Sequence, residues 1–138
     1  MAGIVHFANY FRWMEEVEHA FFRSLGMSIM EPLPTDETGH SPGYLGWPRV
    51  SASLRYEAPA HYNDVLELSL DVERIGYKSL SFLCEISLHG RRIAQGRMKT
   101  ACCHCHPDGT LKSVEIPAAL RSRLPQPTEP ASSVSKEP

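Results

Sequence analysis

Between residues 9 and 25 the apolar side chains recur at three- and four-residue steps, and beyond residue 48 they recur at two. Tyr10, Trp13, Met14, Val17, Phe21 and Leu25 keep the first rhythm, which is that of an amphipathic helix. Phe11, Ala20 and Phe22 widen its apolar face, so much of this helix is expected to be buried. Asn9 stands where an N-cap belongs, and Gly26 where a left-handed glycine ends a helix. The second rhythm begins at residues 49–57, where Val50, Ala52, Leu54 and Tyr56 share one face. In residues 65–75, Leu66, Leu68, Leu70 and Val72 face one way and Glu67, Ser69, Asp71 and Glu73 the other. Residues 79–88 follow a break at Gly76-Tyr77-Lys78, and residues 92–104 follow a tight turn at His89-Gly90-Arg91. Pro107-Asp108-Gly109 marks a further turn.

One helix and four antiparallel strands joined by short turns specify an α+β domain in which the helix covers the sheet's apolar face. The strands left at the edges invite pairing with a second copy. Residues 27–48 carry Pro32, Pro34, Gly39, Pro42, Gly43, Gly46 and Pro48 and read as one long loop. Residues 116–124 read as a short helix starting near Pro117. Residues 125–138, rich in Pro and Ser, read as a disordered tail. The domain is therefore expected over residues 1–124.

The chain has 138 residues, enough for one self-sufficient core. No apolar run approaches the roughly 18 residues of a membrane span. A net charge of -2 gives no footprint for nucleic acid or for an anionic membrane. Residues 1–10 lack the basic start and apolar run of a signal peptide, which points to the cytoplasm. Three of the four cysteines, Cys102, Cys103 and Cys105, crowd one strand, where neighbours point to opposite faces. Free thiols are the better reading than disulfides.

Gly3-Ile4-Val5-His6-Phe7-Ala8-Asn9-Tyr10-Phe11-Arg12-Trp13 resembles the helix entry of the hotdog-fold thioesterases, in their 4-hydroxybenzoyl-CoA thioesterase-like and YbgC-like branch. Leu54-Arg55-Tyr56-Glu57-Ala58-Pro59, Asp64-Val65-Leu66-Glu67-Leu68 and Gly76-Tyr77-Lys78-Ser79-Leu80 resemble later stretches of that branch, in the same order. The resemblance implies a hotdog fold, a long central helix wrapped by a curved antiparallel sheet. It also implies a homodimer or homotetramer with its site between subunits. In the branch an Asp stands three residues before the glycine, one position ahead of Met1 here. The chain as written lacks that Asp and the strand before it. The resemblance therefore raises the expectation of an in-frame Asp and a strand encoded just upstream, with a truncated pseudo-enzyme as the alternative.

What the resemblance implies chemically is thioester hydrolysis: acyl-CoA and water give a free acid and coenzyme A. No metal is needed, and no cofactor beyond the coenzyme A of the substrate. The positive end of a helix polarises the carbonyl. By resemblance the donor is the backbone N–H of Phe7, with His6 and Asn9 beside it. Another hotdog branch places a carboxylate two turns into this helix, and Glu15 fits that position; Glu16, Glu18 and His19 lie close by. A carboxylate in a partly dry site has a raised pKa and becomes a better base. Lys78, Arg91, Arg74 and Arg92 lie at strand ends and turns, where cations hold phosphate. The alternative at each position is an ordinary solvated side chain. Cys102-Cys103-His104-Cys105-His106 invites a zinc reading, but four ligands cannot converge from so short an extended run. His61 with Asp64 suggests a hydratase pair or, alternatively, a turn. Against the enzyme stands a second class, a hotdog protein that binds acyl-CoA without cleaving it.

Overall fold

The helical rhythm yields α1, Ala8–Ser24, 17 residues and about 25 Å long. Gly26, at φ 73°, turns the chain out of it. The helix starts one residue before Asn9, so Asn9 lies in its first turn rather than capping it. The computed structural model describes residues 8–127. His6, Phe7 and residues 128–138 of the expected tail lie outside the described residues.

The buried positions of α1 are Tyr10, Met14, Glu18 and Phe22, a strict four-residue step. That stripe is narrower than the apolar pattern suggested. Phe11 and Ala20 are exposed, and Trp13, Val17, Phe21 and Leu25 are only half-buried. One face of a helix lying across a sheet is covered, and the flanking rows stay at the rim.

The two-residue rhythm yields four long strands: β3 Arg49–Tyr56, β4 Glu67–Ile75, β5 Ser79–Leu88 and β6 Arg91–Ala101. They form an antiparallel sheet in the order β3-β6-β5-β4. On β5 every second residue, Leu80, Phe82, Cys84 and Ile86, is buried. Of these, Phe82 meets α1, its ring edge to face with Phe21 at 5.3 Å. Gly96 on β6 sets how close the helix comes. A Cβ there would stand 2.5 Å from the Met14 terminal methyl and 3.2 Å from the Ser53 carbonyl oxygen. β3 is different: it forms one edge, and Val50, Ala52 and Tyr56 on its apolar face are exposed, with Tyr56 still touching Tyr10 of α1 along one side of its ring.

The segment expected to be a single loop, residues 27–48, contains two short strands, β1 Met30–Pro32 and β2 Tyr44–Gly46. They join β7 Cys103–Cys105 and β8 Leu111–Ser113 in a second antiparallel sheet, ordered β1-β2-β7-β8. The chain therefore has eight strands in two sheets among the described residues, not four in one. Gly43 makes the junction possible. It sits at φ 109°, and a Cβ there would lie 2.0 Å from the Cys105 carbonyl oxygen. The expected strand over residues 92–104 breaks at Cys102 for a hydrogen-bonding reason. The Cys102 N–H donates to the Lys78 carbonyl at 2.7 Å, and its carbonyl accepts from Val114 N–H at 2.8 Å. Both its backbone groups are thus committed outside the large sheet. Pro107-Asp108-Gly109 is a turn, closed by the His106 N–H on the Thr110 carbonyl at 2.8 Å. α2, Ala118–Arg121, is the short helix expected there.

Candidate active site

At the start of α1, the Asn9 carbonyl oxygen Oδ1 accepts a hydrogen bond from Arg12 Nη2 at 2.7 Å. Tyr10, one residue on, points inward. Its ring meets Trp13 edge to face at 5.4 Å and Tyr56 of β3 at 5.3 Å. Burial pushes the Tyr10 phenol up, while the Ala60 N–H pulls the other way. The first turn of the helix is thereby fixed against β3 and the chain that follows it. In that following chain, His61 and Asp64 form a turn. The His61 N–H donates to Asp64 Oδ2 at 2.7 Å, and the Asp64 N–H returns to the His61 carbonyl at 3.0 Å.

Two turns into α1 the carboxylates separate. Glu15 has a half-exposed side chain, and its Oε2 lies 3.6 Å from Arg49 Nη1. Glu18, one turn further, is fully buried, and its Oε1 takes Arg49 Nη2. One guanidinium at the start of β3 thus spans both. Burial pushes the Glu18 carboxyl above the ordinary glutamate value, and Arg49 opposes that shift. Glu18 Oε2 and Arg49 Nε are buried with no hydrogen-bond partner. The partly dry carboxylate is therefore Glu18, not Glu15. Its signal lay in the four-residue step from Tyr10 and Met14 to Phe22, on which position 18 falls.

The four basic residues expected at a phosphate rim do not gather within one chain. Arg74 and Lys78 flank the β4–β5 turn, while Arg91 and Arg92 follow the β5–β6 turn. β5 lies between the pairs, ten residues long and so about 30 Å. Arg92 is already engaged, at 3.1 Å from Glu57 and 3.2 Å from Glu85. Arg74, Lys78 and Arg91 are exposed.

The Cys and His run lies on β7 and just beyond it. His104 Nε2 is 2.6 Å from the Pro42 carbonyl, and its ring stacks on His106 at 3.9 Å. All four cysteines are unpaired. Burial pushes the Cys84 thiol up to about 12 and the Cys102 thiol up to about 11. The outer side of the small sheet carries a cavity of about 460 Å³, lined by Ile29, Met30, Tyr44, Trp47, Cys105 and Leu111 among others.

The chain matches the thioesterase-like superfamily over residues 1–124. It is 26% identical over 98 residues to a protein of Prochlorococcus marinus (strain NATL2A) named 1,4-dihydroxy-2-naphthoyl-CoA hydrolase, covering 71% of this chain and 63% of that one. Over 78 residues it is 32% identical to the 4-hydroxybenzoyl-CoA thioesterase of Pseudomonas sp. (strain CBS-3), covering 56% of this chain and 52% of that one. The chain thus spans less than two thirds of the length of either. A solved gentisyl-coenzyme A thioesterase superposes with a TM-score of 0.67 at 26% identity, covering 88% of this chain and 86% of the other. These likenesses identify the α+β arrangement as the hotdog fold.

Proposed function

This chain belongs to the thioesterase-like superfamily, and on that footing we propose that it hydrolyses an acyl-CoA thioester to a free acid and coenzyme A. The observation that carries the proposal is that the family match runs through every described element from α1 to α2. In this reading α1 is the central helix of the hotdog, wrapped by the curved sheet. The positive end of this helix polarises the thioester carbonyl, with the Phe7 N–H as the donor, and His6 and Asn9 assisting, by the resemblance. Glu15 is the carboxylate that attacks the carbonyl or aims the attacking water. The C–S bond then breaks and the departing thiolate of coenzyme A takes up a proton; where Glu15 has attacked, a water hydrolyses the acyl–Glu15 anhydride left behind, releasing the free acid and restoring the carboxylate. The reaction takes no metal and no cofactor besides the coenzyme A of its substrate.

Lys78, Arg74, Arg91 and Arg92 are read as cations for the coenzyme A phosphates. Because the two pairs stand at opposite ends of β5, each pair serves a different site in a homodimer or homotetramer. That assembly is supported by exposed Val50 on β3, which stands at one edge of the large sheet among the described residues. A cytoplasmic location fits the four free thiols. No helix among the described residues is long and apolar enough to cross a membrane.

The test is free-thiol release from 4-hydroxybenzoyl-CoA and 1,4-dihydroxy-2-naphthoyl-CoA, the substrates for which the relatives are named. Glu15→Gln is expected to lower kcat by about a hundredfold or more. Full activity in that variant removes Glu15 from the reaction. Tight binding of acyl-CoA with no thiol released replaces the enzyme by a non-catalytic acyl-CoA-binding protein.

A further inference from the structure

Glu18 occupies a place in α1 where its neighbours on the stripe, Tyr10, Met14 and Phe22, are apolar. An uncharged side chain there would fill the core at no desolvation cost, and replacing a buried ion pair by apolar residues is often neutral or stabilising. Core stability therefore does not account for the carboxylate. Its geometry does. Glu18 holds one end of the Arg49 guanidinium, and the other end, Nη1, faces Glu15 Oε2 at 3.6 Å. Arg49 is itself mostly covered, its side chain 27% exposed, whereas Glu15 is 50% exposed. A planar fork with fixed donor directions spans two carboxylates one turn apart, which the single ammonium of a lysine does not do.

We propose that Arg49 is a positioning residue for hydrolysis: anchored by buried Glu18, it fixes the direction of the Glu15 carboxylate. The proposal rests on the reading of Glu15 as the carboxylate of the reaction. A glutamate on an exposed helix face samples several rotamers, and a small misplacement of a reacting group costs a large part of the rate. Arg49 Nη1, at 3.6 Å from Glu15 Oε2, biases those rotamers toward one direction without touching substrate.

The experiment is a double-mutant cycle between Glu15 and Arg49 in the full chain, read as kcat, KM and melting temperature on an acyl-CoA that the wild type cleaves. Arg49→Lys keeps a cation for Glu18 and gives up the reach to Glu15. It is expected to lower kcat about tenfold to a hundredfold, with KM changed less than about twofold and melting temperature close to wild type. In a chain that already carries Glu15→Gln, Arg49→Lys is expected to lower kcat no further. Glu18→Gln, which loosens the anchor while leaving Glu15 and Arg49 in place, is expected to lower kcat in the same direction, and it serves if the lysine variant does not fold. Wild-type kcat in Arg49→Lys overturns the proposal, as does an equal loss in the presence and absence of Glu15→Gln. A rise in KM at constant kcat overturns it too, by making Arg49 a substrate contact. Full kcat in Glu15→Gln alone is a different failure, since it removes the reading on which the proposal stands.

Discussion

The two sheets of this molecule are built from strands of very different length, and the difference separates what stabilises the fold from what shapes its surface. In the large sheet, strands of eight to eleven residues lie against α1, and β5 buries every second side chain. In the small sheet each strand has three residues. Of these, Leu45, Gly46 and Cys103 are buried, while Met30, Tyr44 and Leu111 stand exposed around the cavity. Long alternating strands bury a continuous apolar face and generate most of the stability. Three-residue strands cannot, and they persist because β2 and β7 are tied to the rest of the fold through Trp47 and Cys102. Trp47 packs against Phe22 of α1 with ring centroids 5.3 Å apart.

The largest expected break in this comparison is at Phe82. It is fully buried between α1 and the large sheet, and Phe82→Ala should cost about 3–5 kcal/mol, read by chemical denaturation. Leu45→Ala, in the small sheet, should cost nearer about 2 kcal/mol, the low end for such a truncation. Hydrogen exchange sharpens the contrast. Phe82→Ala should lower protection throughout the chain, whereas Leu45→Ala should raise exchange chiefly in the small sheet. Equal, global effects from both would remove the distinction.

Next in size is the pH dependence that Glu18 brings to the large-sheet side. Its carboxyl is raised above the ordinary glutamate value, first by burial. Between the ordinary value and the raised one, the folded chain keeps a proton that the unfolded chain has released. Stability is therefore greatest below that window and falls as pH rises through it. Glu18→Gln should flatten this slope in melting temperature against pH. A slope unchanged in that variant would assign it to other groups.

The smallest effect concerns the thiols. Cys84 and Cys102 are buried with thiols raised to about 12 and about 11, and Cys103 is buried and raised as well. Cys105, on the cavity side of the small sheet, is only half-buried. A thiol reagent at mildly alkaline pH should modify Cys105 first, with the other three following only on unfolding. Fast modification of Cys84 would show the large sheet opening far more readily than its packing implies.

The same contrast governs how much could be read from the sequence. The bounds of β5 were legible to the residue, because alternation over ten positions with one buried face leaves little choice of register. The helix was legible to within one residue at each end. β1 and β2 were not, since three residues between prolines and glycines carry no period at all. The break at Cys102 was hidden for the opposite reason, as alternation runs on through it and only hydrogen bonds to Lys78 and Val114 reveal the change of sheet. Within the candidate site, the burial of Glu18 is masked because a glutamate reads as solvated, although its spacing puts it on the buried stripe. The separation of Lys78 from Arg91 was legible in principle: a ten-residue strand stands between them. The placing of His6 and Phe7 lies outside the described residues, so their roles rest on resemblance.

Cleavage of acyl-CoA by this chain is the most direct measurement of the proposed hydrolysis. Incubating the full chain with an aromatic acyl-CoA and counting free acid against free coenzyme A thiol should give one of each per substrate consumed, over many turnovers. Substrate recovered intact from a saturated complex, with neither product formed, would contradict it.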